Sequence, residues 1–161
     1  MKMLLKQRMF SWFGSFNVFD ENEEIIYTVK GTLAWGHKFV IFDKHGEEVG
    51  CVKEKVFSML PKYFILDKNG EQLGVIAKKW SFLKPKFDID FMDWHVEGNF
   101  LQWNYTIADG AGRTVATLSK ELIRLTDTYS IEVENPANAL YVLMFAVALD
   151  ADKANAASSS N

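Results

Sequence analysis

The sequence is poor in cysteine, proline and net charge, and each shortage excludes a class of protein. The lone Cys51 excludes an internal disulfide framework and any zinc site built on two or more cysteines, as expected for a protein of the reducing cytoplasm. Three prolines and ten glycines in 161 residues argue against a low-complexity or collagenous chain. A formal net charge of -3 gives no overall attraction to nucleic acid, so we predict no nucleic-acid partner.

Membrane-directing segments are missing from the sequence as well. Residues 1–10 carry Lys2, Lys6 and Arg8 among apolar residues, which is unlike the uninterrupted apolar core of a secretory signal. Residues 137–149 would form an apolar helix about 20 Å long, against about 30 Å for a bilayer core, so we predict no transmembrane span. Polar residues follow, and residues 154–161 are predicted to form a disordered tail.

An internal repeat organises the rest of the chain, which we predict to be one domain over residues 1–153. Residues 39–53, FVIFDKHGEEVGCVK, match residues 63–77, YFILDKNGEQLGVIA, without gaps, and weaker copies span residues 105–119 and 16–30. The repeat places four aspartates at equivalent positions: Asp20, Asp43, Asp67 and Asp109. Three residues after them stand Glu23, Gly46, Gly70 and Gly112.

Each repeat unit is interpreted as a β-hairpin, because β-branched and aromatic residues flank a short polar turn. The aspartate can accept a hydrogen bond from the backbone two residues on, and glycine supplies the positive φ of a sharp turn. A calcium-binding loop is the other interpretation of aspartate followed by glycine. We do not favour it, since such a loop needs several spaced oxygen ligands and flanking helices.

The remaining pattern predicts a β-barrel built around a helix. We count ten to twelve short strands and one helix at about residues 136–150, with Asn135 as its N-cap and Pro136 at its first position. The helix is apolar on every face, so protein must surround it. A closed antiparallel barrel of about twelve strands is wide enough to enclose such a helix. The side-chain alternation slips near Met92 and Asp93, which predicts a turn or bulge there.

With these features the sequence resembles the LURP-one-related family of the tubby C-terminal-like superfamily. The resemblance rests on the tandem turns FDKHGEEVG and LDKNGEQLG, the segment FDIDFMDWHVEGNF and the C-terminal NPANALYVLMFAVALD, and it covers about residues 2–152. It implies a twelve-stranded antiparallel barrel around a hydrophobic C-terminal helix. Phospholipid scramblases are thought to share this fold and tubby domains bind phosphoinositides, so the resemblance also implies an anionic lipid as a partner.

The most prominent local feature of the sequence is basic. Residues 53–86 hold eight lysines and three carboxylates, a local balance of +5. Cations beside an exposed aromatic tip can hold an anionic headgroup while the rings enter the membrane interface. The candidate headgroup-binding residues are Lys78, Lys79, Trp80, Lys84 and Lys86. The alternative is a solvated strand edge on which lysine discourages aggregation.

A second feature is the set Asp93, His95 and Glu97, which the period of a strand places on one face. Such a set can bind a metal or act as acid and base, but it also describes an ordinary solvent-facing strand. The sequence contains no nucleophile elbow, P-loop or dinucleotide fingerprint. We therefore predict that the protein is not an enzyme and uses no cofactor or metal.

Three functions remain, and each predicts a different surface. The leading hypothesis is a non-catalytic cytoplasmic module, peripheral at the membrane, that binds anionic lipid or phosphoinositide headgroups through a basic surface uninterrupted by Asp88 and Asp90. The alternative is a protein-interaction scaffold without lipid binding, which predicts an exposed apolar patch. The third is an enzyme in which Asp93, His95 and Glu97 converge in a cleft.

Overall fold

The structure is a computed structural model that describes residues 1–6, 14–34, 36–80, 86–99, 102–121 and 128–158. Twelve strands precede a helix in these parts of the chain. The strands are β1 (Lys2–Leu5), β2 (Ser15–Phe19), β3 (Ile25–Ala34), β4 (Gly36–Asp43), β5 (Glu48–Glu54), β6 (Lys62–Asp67), β7 (Gln72–Lys79), β8 (Lys86–Asp90), β9 (His95–Asn99), β10 (Asn104–Ala108), β11 (Thr114–Glu121) and β12 (Thr128–Val133). A 3-10 turn (Pro136–Asn138) leads into helix α1 (Ala139–Ser158).

The strands form one antiparallel sheet in the order β8-β7-β6-β5-β4-β3-β2-β1-β12-β11-β10-β9. The sheet curls into a nearly closed barrel, which confirms the predicted fold class. Its first and last strands in the chain are neighbours, paired from Lys2 opposite Glu132 to Leu5 opposite Tyr129. The two edges of the sheet are the consecutive strands β8 and β9, and no ladder joins these strands within the described residues. The barrel is therefore nearly closed rather than closed.

The four repeat turns share one hydrogen-bond pattern. In each, Oδ1 of the aspartate accepts the backbone N–H groups of the second and fourth residues that follow, at 2.8 to 3.0 Å. These backbone donors hold the pKa values of Asp43, Asp67 and Asp109 below the usual range. The third residue has positive φ in every turn, from 65° at Glu23 to 82° at Gly70. The hairpin interpretation is confirmed.

The predicted break near residue 92 is also a turn. Met92 and Asp93 both have positive φ, 51° and 56°, and they join β8 to β9. Phe91 and Trp94 on either side are buried in edge contact with each other, and each packs on an aromatic residue of α1. The turn therefore caps the barrel against the helix.

Helix α1 fills the barrel, and residues 142–148 on all of its faces are at most 1% exposed. Asn135 caps the entry to the helix by accepting the N–H of Ala137 at 3.0 Å, as predicted. The helix continues beyond the expected end near residue 150 to Ser158, because its last turns contact polar groups of the barrel wall. Residues 159–161 of the expected tail lie outside the described residues. No helix among the described residues is both long and apolar enough to cross a membrane.

The barrel has two unlike ends. The four repeat turns lie together at one end, termed the turn end, where α1 also begins. Because neighbouring strands are antiparallel, the β5–β6 loop (residues 55–61) and the end of β7 lie at the opposite end, termed the loop end. The C-terminal turns of α1 reach the loop end and contact β5, β6 and β7 there.

Candidate functional site

An ion pair holds the end of α1 to the barrel wall at the loop end. Nζ of Lys78 on β7 lies 3.0 Å from Oδ2 and 3.3 Å from Oδ1 of Asp152. The Asp152 side chain is 2% exposed, and this burial raises its pKa while the Lys78 ammonium opposes the rise. The ammonium group of Lys78 therefore interacts with the interior of the protein.

A second polar cluster lies beside this ion pair. Asn155 of α1 donates from Nδ2 to Oε1 of Glu54 and to the hydroxyl of Tyr63, both at 3.1 Å. Oε2 of Glu54 accepts the backbone N–H of His37 at 3.2 Å and also contacts Nδ1 of that histidine. Burial, together with the carboxylates of Asp152 and Glu54, raises the pKa of Tyr63 far above its usual value. These contacts join α1 to strands β4, β5 and β6 at the loop end.

Another buried acid of α1 contacts Trp103, the residue that precedes β10. Nε1 of Trp103 donates to Oδ1 of Asp150 at 3.2 Å. Burial raises the pKa of Asp150 to about 7, against the opposing effects of Lys153 and of this hydrogen bond. Trp103 itself is buried with φ of 55°, so its backbone adopts a conformation that bulky residues rarely use. Asp150 is therefore a buried carboxyl group inside the barrel whose pKa lies near neutral pH.

The structure separates the five candidate headgroup residues. Lys78 faces Asp152 inside, whereas Lys79 is exposed and lies 3.2 Å from Oδ1 of Asp88. Trp80, directly after β7, is 78% exposed. Lys84 lies outside the described residues, and of Lys86 only the backbone is described, paired with that of Lys79. Asp88 thus interrupts the basic surface that the leading hypothesis expected.

The β5–β6 loop was not among the sequence candidates, yet it extends the exposed surface at Trp80. Phe57 is 92% exposed and Met59 is 90% exposed. The loop adjoins the end of β7, because the Lys78 N–H donates to the Pro61 carbonyl oxygen at 2.9 Å. We define the loop-end surface as Lys55, Phe57, Met59, Lys62, Lys79 and Trp80. A sequence pattern for this loop-end surface does exist, since the segments KVFSMLPK and KKWSFLKPK both place lysines around apolar residues.

The carboxylate and histidine set of β9 does not converge in a cleft. Nε2 of His95 lies 3.1 Å from Oε1 of Glu97, and both side chains are exposed on the barrel wall. Asp93 lies in the preceding turn, with its carboxylate against Gly110 of the β10–β11 turn. Within the described part of the chain, no group of three histidine, cysteine or acidic side chains is placed to hold a metal ion.

The fold defines the class of protein, a β-barrel that encloses its own C-terminal helix. The model of the LURP-one-related family matches residues 1–150, and the chain belongs to this family, as its motifs suggested. It is 26% identical over 150 residues to the uncharacterized protein YxjI of Bacillus subtilis (strain 168), a match that covers 92% of this chain and 91% of YxjI. The X-ray structure of a protein from Arabidopsis thaliana has the same fold, with a TM-score of 0.63 at 19% identity over 92% of this chain and 88% of that one.

Proposed function

We propose that this protein is a non-catalytic module that binds membrane surfaces rich in anionic phospholipid, with its loop end facing the membrane. The observation that carries the proposal is the exposed indole of Trp80 beside the exposed lysines Lys55 and Lys79. Tryptophan prefers the headgroup level of a bilayer, because its ring is apolar and its N–H is polar. Cations at the same level are attracted to anionic phosphates.

The charge distribution supports this orientation. Residues 20–24, 43–48, 67–71 and 109–113 of the turn end contain ten carboxylates and three cations. Residues 53–62 of the loop end contain three lysines and one carboxylate, Glu54, which contacts Asn155 and His37 beneath the surface. An anionic surface would repel the first end and attract the second. The cytoplasmic leaflet, where such lipids are concentrated, is the membrane surface that we propose.

The expected affinity is modest and sensitive to salt. A lysine near an anionic surface contributes about 1 kcal/mol, and salt screens this attraction. Because Lys79 forms an ion pair with Asp88, it contributes less to the attraction to an anionic membrane than Lys55 does. Binding through these cations alone is therefore weak and reversible, as is typical of a peripheral protein.

Co-sedimentation with vesicles tests the proposal. Vesicles of phosphatidylcholine alone are compared with vesicles that also contain phosphatidylserine, each at low and at near-physiological salt. We expect binding to the anionic vesicles only, weakened by salt and by the double substitution Lys55→Glu with Lys79→Glu. The matched control is Lys44→Glu with Lys68→Glu, which makes the same change in charge at the turn end and should leave binding unaltered. Failure of the wild type to bind anionic vesicles at low salt would overturn the proposal.

Vesicles that contain a phosphoinositide show whether the surface recognises anionic lipid in general or one particular headgroup. Vesicles in which phosphatidylserine is replaced by a phosphoinositide at equal total charge should bind equally well if the surface responds to charge density. Much tighter binding to the phosphoinositide would assign the surface to one headgroup. Both results support recognition of anionic lipid.

A further inference from the structure

Phe57 combines two features that do not favour folding. Its backbone has φ of 62°, in the left-handed region that disfavours bulky side chains, and its ring is 92% exposed. Glu23, by contrast, fills the place of glycine in a repeat turn, and Trp103 uses its own positive φ while donating a buried hydrogen bond. The exposed ring of Phe57 forms no comparable internal contact with the described part of the chain. Strain of this kind is typical of functional loops.

The loop that carries Phe57 is fastened at its base, so the exposed side chains are held in place. The Lys55 N–H donates to the carbonyl oxygen of Lys62 at 2.8 Å and closes the loop. Val56 packs directly on Gly36, where an added side chain would collide with it. Pro61 is hydrogen bonded to β7 as described above. Phe57 and Met59 therefore project from a supported base.

We infer that Phe57 and Met59 insert into the boundary between headgroups and acyl chains of an anionic bilayer, while Lys55 and Lys62 meet the phosphates. This inference rests on the proposed function and adds an apolar anchor to it. The charge of the loop favours an anionic bilayer as its binding partner, because lysines begin and end the segment KVFSMLPK and no carboxylate lies between them. The shape agrees, since two side chains at least 90% exposed project outward rather than line a groove for a partner protein.

Anchoring by apolar side chains predicts a component of binding that salt does not remove. Electrostatic attraction weakens with ionic strength, whereas burial of apolar surface does not. The residual binding at high salt should therefore depend on Phe57 and Met59. The lysines should dominate the salt-sensitive part.

The test uses variants that keep the protein folded. Phe57→Gly removes the ring and also relieves the positive φ, so it should leave the protein at least as stable as the wild type. We expect Phe57→Gly and Met59→Ser each to weaken binding to phosphatidylserine vesicles about tenfold, as expected for withdrawing a partly buried apolar side chain. Leu73→Ser is the matched control, because Leu73 is an exposed apolar residue near the turn end and should not affect binding.

The outcomes separate this inference from the proposed function. If the wild type binds anionic vesicles and both variants bind equally well, the anchor is disproved and binding by charge stands. If the wild type binds no vesicles, both proposals fail. If the wild type self-associates without lipid in sedimentation velocity and Phe57→Gly abolishes only that association, the loop is a protein interface and the inference is overturned.

Discussion

Lys78 of β7 and Asp152 of α1 form an ion pair at 3.0 Å that ties the barrel wall to the helix it encloses. The neighbouring Lys79 points to the outside and contacts Asp88 instead. Successive side chains of a strand face opposite sides of the sheet, so adjacent lysines in one sequence cluster have different roles. Lys78 contributes to stability, and Lys79 belongs to the surface.

The two lysines should therefore differ sharply in their effect on folding. Lys78→Ala leaves the Asp152 carboxylate buried without its cation, and we expect a loss of about 3 kcal/mol in the free energy of unfolding. Lys79→Ala should cost less than about 0.5 kcal/mol, because its pair is exposed. Urea denaturation measures both, and Lys78→Met combined with Asp152→Leu should recover most of the loss. Equal effects of the two alanine substitutions would disprove the structural role of Lys78.

Asp150 should make stability depend on pH in the direction opposite to most carboxylates. Its pKa is about 7 in the folded protein, above the ordinary 3.8, so the folded state holds the proton more tightly. Stability from this group is complete below about pH 4 and is lost as the pH rises to about 7. Asp150→Asn should remove this dependence and stabilise the protein at pH 8 by about 3–4 kcal/mol. Urea denaturation of both proteins at pH 5 and at pH 8 measures this effect. An equal change in the free energy of unfolding at the two pH values would contradict the prediction.

The first repeat turn should be improved by the residue that the other three turns use. Glu23 has φ of 65°, where the other turns have glycine. Glu23→Gly relieves that strain but loses an exposed ion pair with Lys6 and adds freedom to the unfolded chain. We expect a net stabilisation of about 0.5 kcal/mol, from the 1–2 kcal/mol that a left-handed residue costs. A lower unfolding midpoint in urea for Glu23→Gly would show that the turn is not strained.

Gly74 on β7 should tolerate no side chain. An added Cβ would collide with the carbonyl oxygen of Asp90 and with Phe91, which caps the barrel. We expect Gly74→Ala to cost about 1–3 kcal/mol, as overpacking does. Gly31→Ala on β3 is the control, because its nearest contact would be ordinary and its effect should be small. Thermal denaturation compares the two, and similar midpoints would indicate that β8 can move away from β7.

Local hydrogen bonding explains why the hairpins could be predicted from the sequence. Asp67 and Gly70 determine their turn through contacts within five residues, so the pattern is visible in a short stretch of chain. The same holds for Asn135 at the start of the helix. The apolar helix with no polar face then required a barrel large enough to hold it.

Long-range contacts explain what the sequence did not reveal. The helix extends past residue 150 because Asp152 and Asn155 are held by Lys78, Glu54 and Tyr63, all from distant strands. Similarly, the exposure of Phe57 depends on where β5 ends and β6 begins. A short apolar run is equally compatible with a buried strand, so composition alone did not identify the loop-end surface.

Hydrogen–deuterium exchange with and without phosphatidylserine vesicles would show directly which end of the barrel faces the membrane. We predict slower exchange on binding in residues 55–62 and 78–80 of the loop end. Residues 43–48 and 67–71 of the turn end should exchange at unchanged rates. Protection of the turn end, or no protection anywhere at low salt, would contradict binding of the membrane by the loop end.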